Sequence, residues 1–371
     1  MSVSFNQTLT IDEVTDLIDE ISDKITVFVQ SEPGVGKSSI LKELAKRYGD
    51  NWRKAGDSHL PMCKDDKYDY IYVDCASKDL ADIGLTIPNH GTKTLEYYVS
   101  ELIMLDSPKP KLIMLDEFDK MPRMVKIVFT RLTLERFWGD RPVTEGTKIF
   151  TTSNNASDGF GDQMMGYEMN RGIKVEMEKP RTQQWLRWAA NNGINSVIQA
   201  TVTMFGGRMF ASYKDEGQKE NPYIFNPKVR QPFVSGRSLA AASLIVDKFS
   251  GRDGLLLGAL CGTVGVAAAR DIMMMVKMNK QIHTTKQILA NPLSISVPSE
   301  DAALFLMMMN AVDDVETQDD VSKFMMFIER VPSEEIQSVF FSMMFRKKSK
   351  IPLARGNERL KDWSVKNFEL I

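Results

Sequence analysis

The chain has 371 residues but little of what usually betrays a function quickly. It holds three cysteines, Cys63, Cys75 and Cys261, and three histidines, His59, His90 and His283, all widely spaced. Neither set has the close pairing of a zinc site, and three scattered cysteines make no disulfide framework. Cys75 falls in a strand-like apolar run, where a cysteine acts as a small hydrophobe. This usage fits a reducing, cytoplasmic setting. Charge of one sign is lacking too. Lys and Arg number 47 against 49 Asp and Glu, for a net charge of −2, so no global field draws the chain to nucleic acid or to a membrane. No basic module interleaved with aromatics is apparent. The most apolar stretch, GLLLGALCGTVGVAAA at 254–269, is glycine-rich and shorter than the ~20 residues a membrane span needs, so it reads as a buried helix pair. The opening MSVSFNQTLTIDE lacks the basic-then-apolar layout of a signal peptide. There is no internal repeat and no low-complexity tract.

What is there reads as globular: 43% hydrophobic and 26% charged residues, with enough length for two or three domains. Methionine is abundant at 23 residues, with runs at 273–275 and 307–309 that suit core filling. Short β-branched, apolar runs at 25–30, 70–76, 111–117, 148–154 and 173–179 read as buried strands. Helix-spaced segments lie between them at 38–49, 94–105 and 122–137, the last opening with Pro122. Strands alternating with helices predict a doubly wound α/β domain with a parallel sheet. After Pro180 the pattern turns helical, with helices over 181–193, 194–212 and 236–249. Segment 213–232 is polar and turn-rich and reads as a loop, and 292–302 reads as a boundary. The basic KKSK after Arg346 reads as an exposed, solvated end.

Three strand ends carry the chemistry. After the first strand comes SEPGVGKS, residues 31–38, close to the phosphate-loop pattern G-x-x-x-x-G-K-S/T, with Ser31 in place of the first glycine. Gly34 and Gly36 let the backbone curl so that the loop formed by Glu32, Pro33, Gly34, Val35, Gly36, Lys37, Ser38 and Ser39 turns its N–H groups on one anion, at a helix N-terminus. Lys37 would reach the β- and γ-phosphates, and the Ser38 hydroxyl would ligate Mg²⁺. LIMLDE, 112–117, delivers two carboxylates to the C-terminal end of another strand. Asp116 would hold Mg²⁺ and Glu117 would orient the attacking water. TTSN, 151–154, ends a third strand, and its Asn154 would hold that water or touch the γ-phosphate if the strands are neighbours. Taken alone, these are a glycine turn, a helix-capping acid and a turn asparagine. Their succession points to ATP and Mg²⁺.

At these residues the chain resembles the AAA+ superfamily, and within it the MoxR-like, dynein-related branch, over roughly residues 8–250. LIMLDEFDKMP is similar to that branch's second nucleotide motif. TTSNN is similar to its sensor-1 segment, with Asn154 on the asparagine and Asn155 in place of proline. GYEMNRGIKVEMEKP resembles the segment bearing an arginine finger. Arg171 falls on the arginine, with Asn170 and Gly172 in place of its usual neighbours, and Arg131 and Arg136 compete for the role. FVSGRSLAAASLIVDKF resembles the start of the sensor-2 helix, with Arg237 on its arginine and Gly236 in place of proline.

The resemblance implies an AAA+ P-loop core at 1–180, an all-helical lid at 181–250 carrying Arg237, and a helical C-terminal extension at 251–371 that matches no motif. It implies ATP rather than GTP, since no N-K-x-D motif is apparent. It further implies a homo-oligomeric ring, usually a hexamer, with Arg171 serving a neighbour's ATP in trans and Arg237 acting in cis. The implied work is remodelling of a protein partner, often one with a von Willebrand factor A domain; the alternative is a nucleic-acid motor or loader. CASKDLADIGLTIPNHGTKT, 75–94, resembles the branch's pore-side insertion, so residues 83–90 are candidates to touch a substrate or partner, or else form a surface loop. Phe137 and Trp138, in the hairpin before sensor 1, would face either the pore or the core, with the core favoured. In general style the chain is similar to ATPases encoded by bacteriophages.

Overall fold

The computed structural model describes residues 8–48, 62–64, 67–155 and 172–370. They divide into two compact units that meet in sequence at Lys179 and Pro180. In chain order the first unit runs β1 (Thr8–Leu9), α1 (Ile11–Ile21), β2 (Val27–Ser31), α2 (Ser39–Arg47), β3 (Met62–Lys64), β4 (Asp69–Asp74), β5 (Gly84–Asn89), β6 (Thr94–Val99), β7 (Lys111–Asp116), α3 (Arg123–Glu135), β8 (Phe137–Trp138), β9 (Arg141–Pro142), β10 (Lys148–Asn154) and β11 (Ile173–Met177).

Seven of these strands form one sheet in the order β1-β11-β2-β10-β7-β4-β3, parallel throughout except for β3 at the edge. The parallel strands are apolar runs because both sheet faces are covered. Along β7, Leu112 and Met114 pack with Val14, Ile18, Ile40 and Leu44 of α1 and α2. The alternate residues Ile113 and Leu115 pack with Val125, Phe129 and Leu132 of α3. The expected architecture is thus what the structure has: an α/β core with a parallel sheet, followed by an all-helical unit.

Register brings the strand ends into line. Asn154 lies opposite Ser31, Thr151 opposite Leu115, and Asp74 opposite Asp116. All four strands therefore release the chain at one end of the sheet, where open α/β sheets place ligands. The other end is closed by its own cations. The ammonium of Lys111 donates to Ser107 O, Lys109 O and Thr144 Oγ1, each at 2.7 Å, and Lys148 is bound to Asp19 and to the Tyr48 hydroxyl.

Two local expectations fail. Residues 94–105 are not a helix: β6 pairs antiparallel with β5, and a 3-10 turn at Glu101–Ile103 follows. The run TLEYYV alternates and is rich in residues that favour strands, and its cross-strand partners settle the choice: Tyr98 faces Leu85, and Tyr97 faces Thr86. Cys75 lies just past β4 in a 3-10 turn capped by Asp74, although it is buried as expected. Trp138 is fully buried with its ring 4.9 Å from Phe129, while Phe137 is half-buried.

The second unit runs α4 (Thr182–Asn191), α5 (Ser196–Met209), α6 (Gly236–Phe249), α7 (Asp253–Val264), α8 (Val266–Asn279), α9 (Thr285–Ala290), α10 (Asp301–Asp314), α11 (Gln318–Ile328), α12 (Glu334–Arg346), α13 (Ile351–Gly356) and α14 (Glu358–Lys366). The expected helix pair at 254–269 is α7 and α8, broken at Gly265. That residue has φ +85°, and a Cβ there would lie 2.6 Å from Pro232 O, so only glycine fits. Helices on both sides of residue 250 share one core, with Leu239 and Val246 in the same cluster as Leu256, Leu260 and Ile272. Met307, Met308 and Met309 are buried in it, as are Met273 and Met275, while Met274 is exposed. The KKSK segment is not a solvated end. Lys347 pairs with Asp313 at 2.6 Å, and the chain continues into α14, which buries Leu360 and Trp363. Among the described residues no helix is long and apolar enough to cross a membrane.

The face of α3 that carries the fold is testable. Phe129 is fully buried and Ile127 is 57% exposed on the same helix. Phe129→Ala should lose about 3–5 kcal/mol in urea unfolding followed by circular dichroism, whereas Ile127→Ala should stay within about 0.5 kcal/mol of the parent.

Candidate functional site

Between the end of β2 at Ser31 and the start of α2 at Ser39 the chain makes one tight loop. Gly34 and Gly36 permit it, with φ of +79° and +106°. Val35 tucks into the core beneath the loop. The helix opens with Ser39 N–H donating to Gly36 O at 2.9 Å and Ile40 N–H to Lys37 O at 3.1 Å. Ser39 Oγ also donates to Gly36 O, at 2.6 Å. Ser38 is the N-cap residue, yet its hydroxyl makes no capping bond, which leaves it able to ligate a cation.

The Lys37 ammonium is folded back over the strand ends. It donates to Asn154 Oδ1 at 2.8 Å and Ser31 Oγ at 3.0 Å, with longer contacts to Glu32 O at 3.4 Å and Ser31 O at 3.5 Å. Ser31 departs from the glycine of the sequence pattern, and here its hydroxyl gives the lysine an extra acceptor. Asn154 thus accepts from Lys37 across the strand ends. Its neighbour Asn155 closes the same end of the sheet, with its N–H on Ser31 O at 3.1 Å and its amide on Glu176 at 3.2 Å. Glu32 keeps its backbone in the loop, but its buried carboxylate is paired with Lys179 at 2.6 Å. Pro33 is half-buried at the turn.

Asp116 is buried and held on both oxygens. Oδ2 accepts from the Tyr72 hydroxyl at 2.8 Å, and Oδ1 accepts from Glu117 N–H at 3.1 Å and from the Thr152 hydroxyl. Burial, then the Asp116 charge, raises the Tyr72 phenol, so it stays a donor. Glu117 sits in the left-handed region at φ +53°, uncommon for a residue with a side chain. That kink ends the strand and starts a 3-10 turn at Phe118–Lys120, and Glu117 Oε1 pairs with Lys120 at 2.8 Å. A cation held by Ser38 and Asp116 would keep water and phosphate oxygens as its other ligands, which is how Mg²⁺ is usually bound.

Sequence reasoning missed three side chains here. Thr152 and Tyr72 orient Asp116, and the only signal for them was a polar group inside an apolar strand. The third is Asp119, the second acid of DEFD. It is 7% exposed, neither carboxylate oxygen has a hydrogen-bond partner on another residue among the described ones, and burial raises its pKa, with the Lys37 charge acting the other way. Cys75 is nearby and inert, its thiol pushed up by burial and then by Asp116.

Of the three candidate finger residues, Arg171 lies outside the described residues. Arg136 turns inward at the end of α3. It donates to Ser22 O at 2.9 Å, and burial pushes its pKa down to about 10. Arg131 pairs with Glu135 at 2.8 Å, donates to Gly139 O at 2.6 Å and lies 5.1 Å over the Phe137 ring. In the second unit Arg237 is exposed in the first turn of α6, with no ion pair among the described residues. A helix dipole disfavours a cation at that end, so α6 itself gives no reason for it.

No family model matches the chain, and no curated protein matches it. Among solved structures it is similar to PCH-2 of C. elegans, at 14% identity over 72% of this chain and 67% of that one, with a TM-score of 0.31. It is similar to NtrX of Brucella abortus, at 11% identity over 97% and 69%, with a TM-score of 0.31. It is also similar to the Thermotoga maritima RuvB Holliday junction branch migration motor, at 12% identity over 77% and 81%, with a TM-score of 0.34. Likeness at this level carries no argument about activity, which rests on the residues themselves.

Asp119 gives a signed prediction. Its folded carboxyl titrates above the ordinary 3.8, so between that value and its raised native value the folded state binds more protons than the unfolded one. Its contribution to stability therefore falls as pH rises through that window. In the nucleotide-free chain Asp119→Asn should be more stable than the parent near neutral pH, by on the order of 1 kcal/mol. The difference should vanish at acid pH, as read by urea midpoints across pH.

Proposed function

We propose that this chain is an ATP hydrolase of AAA+ type that works as a homo-oligomeric ring and remodels a protein partner in the manner of the MoxR-like branch. The observation that carries the reading is the alignment of Ser31, Asn154 and Asp116 at one end of the sheet, with Lys37 bonded across it to Asn154 at 2.8 Å. The loop amides from Glu32 to Ser39 and the α2 N-terminus supply a positive concave surface for phosphates. Lys37 exchanges its protein oxygens for β- and γ-phosphate oxygens. Ser38 and Asp116 would hold a Mg²⁺ ion, which would supply positive charge against those phosphates.

Glu117 leaves its pair with Lys120 to accept a hydrogen bond from water and aim it in line at the γ-phosphorus, while Asn154 steadies the γ-phosphate side. Water attacks, the bond from γ-phosphorus to the bridging oxygen breaks, and ADP and phosphate leave. Arg171 of a neighbouring subunit serves as the finger in this proposal. Its support is that Arg131 and Arg136 are both engaged within their own chain. Arg237, with no partner in its helix, reads the same nucleotide from the helical unit.

A protein partner is favoured by the β5–β6 hairpin. Leu85, Ile87, Leu95, Tyr97 and Tyr98 are each more than 40% exposed there. Pairing puts Leu85 and Tyr98 on one face and Leu95 and Tyr97 on the other, and an isolated hairpin of this kind is marginal without a contact. His90 is exposed at its turn, whereas Ile83, at the base, is buried in the core.

Glu117→Gln should bind ATP yet hydrolyse it roughly 10²–10⁴-fold more slowly than the parent in a phosphate-release assay. Light scattering after size exclusion should show this variant moving from about 42.0 kDa to a multiple near six on adding ATP and Mg²⁺. Turnover at the parent rate would remove Glu117 from the mechanism. A monomer with ATP demonstrably bound would remove the in-trans arginine.

A further inference from the structure

The helical unit contains a groove between α4 and α12 that the ATPase reading does not use, with apolar walls at Leu186, Val339 and Leu370 and polar side chains between them. Gln183 and Arg187 stand one turn apart on α4, and Ser338, Ser342 and Arg346 stand at successive turns of α12. All five line one cleft of about 430 Å³, together with Thr182. No acidic side chain lines it. Among the described residues neither Arg187 nor Arg346 has a carboxylate within ion-pair distance, and the nearby Asp313 is taken by Lys347 at 2.6 Å. Arg346 donates to the amide oxygen of Gln183, and Ser338 Oγ to Glu335 O at 2.7 Å.

Arg346 is desolvated by the cleft walls and repelled by the exposed Arg187, and no carboxylate among the described residues offsets that repulsion. Burial, and then the Arg187 charge, lowers the Arg346 pKa, as this geometry requires. A ligand with several acceptor oxygens and negative charge would offset that repulsion. Guanidinium forks and hydroxyls together match a phosphate better than a lone carboxylate.

We infer that the α4–α12 groove binds a phosphate group, either free phosphate or the monoester of a small molecule, through Arg187 and Arg346 with Ser342 and Gln183 as neutral partners. The cleft falls within the usual range for small-ligand sites and has room beyond the phosphate for the alcohol part of an ester. The inference does not depend on the ATPase reading.

The test is calorimetric titration of the full chain carrying Lys37→Ala, which removes the lysine of the phosphate loop. Inorganic phosphate and glycerol 3-phosphate are the two probes, with chloride at matched ionic strength as the control. A saturable heat is expected with at least one probe and not with chloride. Tighter binding of glycerol 3-phosphate would identify an ester site, and equal or tighter binding of inorganic phosphate a free-anion site. Adding Arg187→Gln, at an exposed position, should weaken that binding by about tenfold or more, and Ser342→Ala should weaken it less. No saturable heat in the Lys37→Ala chain, or a heat that Arg187→Gln leaves unchanged, would overturn the inference. Because Arg187 is exposed, its substitution decides between these outcomes even if Arg346→Gln fails to fold.

Discussion

The bond from Lys37 to Asn154 is the contact on which the proposed chemistry depends. It joins residues 117 apart in sequence, and it exists only because β10 lies between β2 and β7. That placement gives β10 two tasks. Through Asn154 it meets the phosphate loop, and through the Thr152 hydroxyl it fixes Asp116 on the opposite neighbour. A one-residue slip in a strand turns every side chain to the other face. The register of β10 thus sets whether an ammonium, a carboxylate and an amide converge or scatter.

Charge is distributed along the first unit to serve that convergence. Lys111 and Lys148, at the starts of β7 and β10, are saturated by carbonyls, hydroxyls and Asp19. They anchor the far end of the sheet and have little left to offer a ligand. At the near end Lys37 donates to neutral oxygens of Ser31, Glu32 and Asn154, which phosphate oxygens can replace. The acids beside it differ by surroundings: Asp116 is clamped by three donors, Glu117 is swung out on a left-handed residue, and Asp119 is buried without a hydrogen bond from another residue among the described ones. Three carboxylates within four residues therefore have three different electrostatic situations.

Much of the core was legible because both faces of a parallel sheet are covered. The apolar runs at 111–117 and 148–154 leave no other reading, and the helix over Gly236–Phe249 follows from its spacing and its Ser235 cap. The phosphate loop and the Asp116-Glu117 pair were legible because glycines and acids at strand ends need a chemical reason. What failed was set by tertiary pairing. The TLEYYV segment became a strand because β5 was there to pair with it. The tasks of Ser31, Thr152 and Tyr72 depend on which strands are neighbours, which local periodicity does not encode. The packing of the segment after Arg346 was hidden because its two anchors, Leu360 and Trp363, are thinly spaced among charges. Arg171 lies outside the described residues, so its role rests on resemblance.

The most direct test of the central claim is calorimetric titration of ATP with Mg²⁺ into the parent chain and into Lys37→Ala. Saturable binding to the parent, weakened at least about a hundredfold by the substitution, is what a phosphate loop built around this lysine predicts. Absence of binding to the parent, or equal affinity in the two proteins, would contradict it.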